Sequence, residues 1–175
     1  MLRDVLLSKL PTYNNKSVLL YDSQDTNDII HVLLKAHKLY KNDYDKICVY
    51  FWKGNIKETC FFIWKFLKNN VKYKIEPDTR QSIKSPSAIL STGIYKNGYN
   101  DCKHYASMIN GILDALTRRG IKINWYYRFA NYKLFNTVPH HVFAVVNCLG
   151  NEIWIDPVLD SFNEKKQYIN KIDKK

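Results

Sequence analysis

The chain has 175 residues, 46% of them hydrophobic and 14% aromatic. That is enough for one domain with a packed core, expected to span residues 1–175, and it excludes a chain disordered by composition. The formal net charge of +11 favours acidic partners. No arginine-rich run, zinc finger or interleaved aromatic-basic motif argues for sequence-specific nucleic-acid binding, which leaves nonspecific contact through a basic surface.

Residues 1–25 read as irregular, punctuated by Pro11, Asn14-Asn15 and the polar run 22–25. The short apolar stretch at the start is interrupted by charge and is too short for a signal-peptide core. No run approaches membrane-spanning length, so a soluble protein without membrane insertion or a cleaved export signal is expected. Asp25 or Thr26 can cap a helix, with Asp28 in its first turn. Ile29, Ile30, Leu33, Leu34 and His37 keep helical spacing to about Tyr40.

Residues 44–52 have the β-branched and aromatic content of a strand, but their neighbours favour a helix, which is the preferred reading. After Gly54-Asn55 a helix is predicted over 56–69, with Cys60, Ile63, Trp64 and Leu67 on one face. Val71 to Ile75 alternates as a short strand ended by Pro77. Residues 76–100, with Pro77, Pro86, Gly93 and Gly98, read as a long connection that forms one wall of a cleft.

The helix over 101–118 is the clearest element. Tyr105, Ala106, Ile109, Ile112, Leu113 and Leu116 make its apolar stripe, Arg118 and Arg119 suit the negative end of its dipole, and Gly120 suits its stop. Strands are predicted over 121–130, 140–147 and 152–156, with Gly150 in a tight turn. Helices first and an antiparallel sheet afterwards make an α+β domain. Residues 164–175 read as a solvated basic tail.

Four cysteines, Cys48, Cys60, Cys102 and Cys148, form no C-x-x-C pair, so neither a zinc site nor a thioredoxin-like site is indicated. Scattered thiols fit a reducing compartment. Cys102 stands apart. Asn100 or Asp101 can cap its helix, which places Cys102 in the first turn, where the helix dipole and free backbone N–H groups favour a thiolate and can receive an oxyanion. Its spacing from Tyr105 and Ala106 turns it toward the buried side. Lys103 adds positive potential.

A base is available on the second predicted strand. With a two-residue turn at Leu149-Gly150, Phe143 faces Asp156, and His141 and Asp156 become diagonal neighbours on one sheet face, about 7–8 Å apart. A turn at Gly150-Asn151 would bring Asp160 opposite His141, and a turn of odd length would select His140. Cys102, His141 and Asp156 are therefore the candidate catalytic residues, with His140 and Asp160 as reserves. Separately, each has an ordinary explanation: a buried thiol, a structural histidine, a strand-to-turn exit. The order thiol, imidazole, carboxylate is that of an acyl-transfer site. His31 and His37 are poorly spaced for a shared metal, His104 is expected at solvent or the cleft edge, and Asp114 is expected on the surface.

Asp101-Cys102 with Ala106, His141-Val142 and Asp156-Pro157 resemble the transglutaminase-like superfamily, which shares a papain-like Cys-His-Asp core. More narrowly, Ser85-Pro86-Ser87, Asp101-Cys102-Lys103, His141-Val142 and Phe162-Asn163-Glu164-Lys165 are similar to transglutaminase-like proteins of tailed phages of Bacteroidetes, including crAss-like phages. The likeness covers 26–170 loosely and 98–168 well. The glycine that the family places just before the catalytic dipeptide is here Gly98, with Tyr99-Asn100 intervening. The resemblance implies a papain-like fold and a peptidase, amidase or crosslinking activity on a protein or peptide substrate. It implies no metal or organic cofactor; some transglutaminases use calcium, but no calcium loop is evident. It also implies phage virion proteins as partners and a place in the virion or the host cytoplasm. The rival readings are a non-catalytic virion protein that keeps the fold and a host-directed effector. Some enzymes of the superfamily use an indole N–H for the oxyanion; Trp64 is either that donor or a core residue.

Overall fold

The computed structural model describes residues 1–14, 18–21, 26–77, 81–91, 100–135 and 138–175. The elements in chain order are α1 (Leu2–Lys9), β1 (Val18–Tyr21), α2 (Thr26–Leu39), α3 (Lys41–Ile47), continued by a 3₁₀ turn (Cys48–Tyr50), and α4 (Ile56–Asn70). Then come β2 (Gln81–Lys84), α5 (Pro86–Leu90), α6 (Cys102–Arg118), β3 (Asn124–Asn131), β4 (His141–Cys148), β5 (Asn151–Ile155) and β6 (Asn170–Lys174). The protein is α+β: helices dominate the first part, and an antiparallel sheet in the order β5-β4-β3-β6 follows.

α6 lies at the centre. Its stripe of Tyr105, Ala106, Ile109, Ile112, Leu113 and Leu116 is buried, and so is most of the rest of the helix. One side rests on β3 and β4 through Trp125, Tyr127, Phe129, Val142, Ala144 and Val146. The other side is enclosed by the helical layer, where Tyr44 of α3 lies over Gly111 so closely that a Cβ there would meet its ring at 2.3 Å. The outer sheet face carries a second cluster of Ala130, Phe143, Val145 and Trp154, flanked by Tyr126, Tyr132 and Tyr168. Within it Arg128 is fully buried, its guanidinium bonded to Glu152 and Asp173 and set among three aromatic rings.

The turn between β4 and β5 has the expected length. Cys148 pairs with Asn151, and Leu149 and Gly150 both have positive φ, 52° and 87°, as a two-residue primed turn requires. Of residues 44–52, the α-helix takes in 44–47 and a 3₁₀ turn 48–50, so the preferred helix reading holds up to Tyr50 and no strand forms there.

Other expectations are corrected. Residues 1–25 include α1 and β1, and β1 pairs with β2 inside the stretch read as a loop. That stretch also contains α5, started by Ser85, whose hydroxyl accepts from Ala88 N–H. Gly93 and Gly98-Tyr99 lie outside the described residues. Val71 to Ile75 forms no ladder; the Lys74 N–H instead donates to the Asn100 carbonyl at 2.9 Å, which ties this segment to the start of α6. The end of the supposed solvated tail is an edge strand: β6 pairs with β3 from Tyr127↔Lys174 to Asn131↔Asn170, held by Asp173 on Arg128. No described helix is long and apolar enough to cross a membrane.

Candidate active site

Asp101 caps α6 in an extended conformation (φ −104°, ψ −167°), and its own N–H donates to His104 Nδ1 at 3.1 Å, the reciprocal bond of a capping box. Cys102 is consequently the first helical residue, half-buried against the core, with a free thiol. Its N–H is among the first-turn donors that the helix itself cannot satisfy.

His141 is the first residue of β4 and Asp156 directly follows β5. The register Ala144↔Ile155 puts Phe143 opposite Asp156, and His141 Nε2 reaches Asp156 Oδ2 at 2.6 Å. Both belong to the sheet face turned away from α6. They sit where the strands enter and leave the sheet, and they line one cavity together with Cys102. Cys102 is near enough to act on the charge of His141, as Asp156 does. With Nε2 taken by the carboxylate, Nδ1 is the nitrogen left for the thiol. Burial lowers the His141 pKa, but the bonds and charges of Asp156 and Cys102 outweigh it and raise it to about 10.

Asp156 is fixed on all sides. Its Oδ1 accepts from Val158 N–H at 3.1 Å, and its carbonyl accepts from Trp64 Nε1 at 3.1 Å. The Trp64 indole N–H is therefore committed to the Asp156 backbone, not aimed at an oxyanion, which corrects the donor reading of Trp64. Asp160 is 98% exposed in its side chain and pairs with Lys68, so it is no reserve for Asp156. His140 is exposed beside the cleft, its ring 6.0 Å from Tyr132.

The floor beside Cys102 is a buried ionic cluster that the sequence did not announce. Lys103 joins Glu76, at 3.0 Å, to Asp101, and Lys84 reaches Glu76 at 3.2 Å. Glu76 also accepts from Ser82 N–H and hydroxyl. Burial pushes the Asp101 pKa up, but His104 and the Lys103 ammonium outweigh it and hold it well below the usual carboxylate range. His104 is wholly buried, not at solvent as expected, and burial lowers its pKa. Asp114 is not a plain surface charge either; it pairs with Arg118 and with buried His37, which also bonds to Tyr127. Glu76, Asp101 and His104 offer ligand atoms within 4.8 Å of one another, but Lys103 already supplies positive charge between the two carboxylates.

Above this floor lies a cavity of about 840 Å³ lined by Tyr73, Ile75, Phe129, Tyr132, Val142 and Val158, with Cys102, His141 and Asp156 on its wall. Tyr73 stacks on Tyr105 at 5.8 Å, and its hydroxyl pKa is raised, by burial and then by Cys102. Tyr73, Tyr132 and the Glu76–Lys103 pair were missed because long-range packing assembles them and no local pattern marks them.

No protein-family model matches the chain, and no curated protein matches it. Among solved structures it is similar to one described as "a Putative Cysteine Protease from Cytophaga hutchinsonii", at 19% identity and a TM-score of 0.39, over 86% of this chain and 46% of that one. The chain thus spans about half that protein's length, and a likeness of this size fixes neither a shared activity nor a shared substrate.

Proposed function

We propose that the chain is a cysteine acyl-transfer enzyme of the transglutaminase-like, papain-like type, acting on a protein or peptide carboxamide. The observation that carries this reading is the 2.6 Å bond between His141 and Asp156 with Cys102 on the wall of the same cavity. His141 Nδ1 takes the Cys102 proton, and the thiolate attacks the carbonyl carbon. The oxyanion is received at the start of α6. His141 returns the proton to the leaving amine as the C–N bond breaks, which leaves a thioester on Cys102. Water or an amine then attacks the thioester, giving its proton to His141, and the thiol is restored. Asp156 holds the imidazole in the tautomer with hydrogen on Nε2 and stabilises its protonated form. None of these steps calls on a metal or organic cofactor.

Whether the acceptor is water or an amine belongs to the same proposal, as does a phage origin with action in the virion or host cytoplasm; that origin rests on the sequence resemblance. The test is acylation by p-nitrophenyl acetate. A burst of nitrophenolate approaching one equivalent, with an acetyl group on Cys102 by mass spectrometry, is expected from the native chain and is absent from Cys102→Ala and His141→Ala. Acetylation without preference for Cys102 would overturn the proposal.

A further inference from the structure

The carboxylates lining the cleft are matched from within the chain: Glu76 by Lys84 and Lys103, Asp101 by Lys103, and Asp156 by His141. Among the described residues the cations at its mouth are not. Lys166 Nζ stands 4.9 Å from the centroid of the Tyr132 ring, and that ring lies 6.1 Å from His141. Lys133 follows Tyr132 in the chain. The pKa of neighbouring His140 is lowered, by burial first and then by Lys133, His141 and Lys166, and His140, His141 and Lys166 line the cleft together. Among the described residues neither Lys133 nor Lys166 has a carboxylate partner. Next to them in the chain Leu134 is 82% exposed and Phe135 fully exposed, and Ile75, which also lines the cavity, is exposed.

The geometry points to a substrate segment that is apolar where it crosses the cleft and carries an acidic side chain at the mouth formed by Tyr132, Lys133 and Lys166. This rests on the acyl-transfer reading above. The apolar walls, Tyr73, Phe129, Val142 and Val158 among them, fit side chains of a polypeptide. Two ammonium groups without a carboxylate partner among the described residues give an acidic side chain a preferred position, and the chain's charge of +11 speeds the approach of such a segment. Nucleic acid would also meet the charge, but it offers little to the apolar walls.

The experiment reads protection of Cys102 from iodoacetamide, by mass spectrometry, in the full chain. The protectants are acetylated, amidated hexapeptides of Leu and Phe with one central Glu, Gln or Lys, the Gln peptide with a free C-terminal carboxylate, and a dT decamer. The Glu peptide is expected to protect at about five- to tenfold lower concentration than the Gln peptide at low salt, as two exposed charge pairs allow. That preference should shrink in about 0.5 M salt. Lys133→Glu with Lys166→Glu should reverse it in favour of the Lys peptide. Equal protection by the Glu and Gln peptides, or none by either, overturns the inference, as does better protection by the free carboxylate or the dT decamer. The nitrophenolate burst, measured on the same preparation without peptide, reports separately on the acyl-transfer reading.

Discussion

At the scale of single residues, the site depends on how His141 is charged. Its pKa is raised to about 10 by Asp156 and Cys102 against the opposing effect of burial. A histidine raised from 6.5 contributes stability that is full below 6.5 and is lost as pH climbs through the folded value. The imidazole resonance of His141 should therefore not titrate between about pH 5 and 8. In Asp156→Asn the carboxylate is gone and burial acts against a weaker opponent, so the same resonance should titrate at lower pH. An unchanged titration would show that Asp156 does not hold the imidazole. Trp64 acts one step further out, through the Asp156 carbonyl. Trp64→Phe keeps one six-membered ring but removes the pyrrole half of the indole with its N–H, a loss of one hydrogen bond and some packing worth about 1–2 kcal/mol in stability. The acylation rate should fall several-fold while Tm drops by only a few degrees; an unaltered rate would assign Trp64 to packing alone.

At the scale of elements, α6 and the β4–β5 hairpin place the chemistry, and both are legible because their signals are local. Asp101 as cap, Gly120 as stop and the Leu149-Gly150 turn each act within a few residues, and the turn alone sets the parity that brings His141 to Asp156. What stayed hidden is non-local. His104 falls off the apolar stripe and reads as solvent-facing, and Lys103 reads only as a source of positive potential, yet the helical layer and Glu76 enclose both. In β6 the apolar content is a single Ile172, so it reads as a tail until Arg128, 45 residues earlier, is seen to need Asp173. Asp173→Asn leaves buried Arg128 with Glu152 as its main partner and should cost about 2 kcal/mol or more, read as a lower urea midpoint. Burial works against Glu152 less than Arg128 works for it, which holds its pKa at about 2, and Asp173 is lowered as well. Their contribution is therefore present above the ordinary carboxylate pKa and is lost as pH falls toward 2; acid unfolding of Asp173→Asn should be correspondingly shallower. In α6, Gly111→Ala would drive a methyl into the Tyr44 ring. A loss of about 1–3 kcal/mol is expected, and a Tm equal to that of the native chain would contradict the close packing of α3 on α6.

For the whole molecule, the two layers meet at the start of α6. The helical side brings Trp64 and the Glu76 segment, the sheet brings His141 and Asp156, and Cys102 stands between them. Three of the four cysteines serve as internal controls for this arrangement. Burial raises the Cys48 pKa and raises that of Cys60 to about 12, and Cys148 lies at the hairpin end, away from the base. The most direct test is the rate at which iodoacetamide alkylates each cysteine near neutral pH, in the native chain and in His141→Ala. Cys102 should react well ahead of Cys48, Cys60 and Cys148 in the native chain and lose that lead in the variant. Equal labelling of all four, or a lead for Cys102 that survives the loss of His141, would contradict the account.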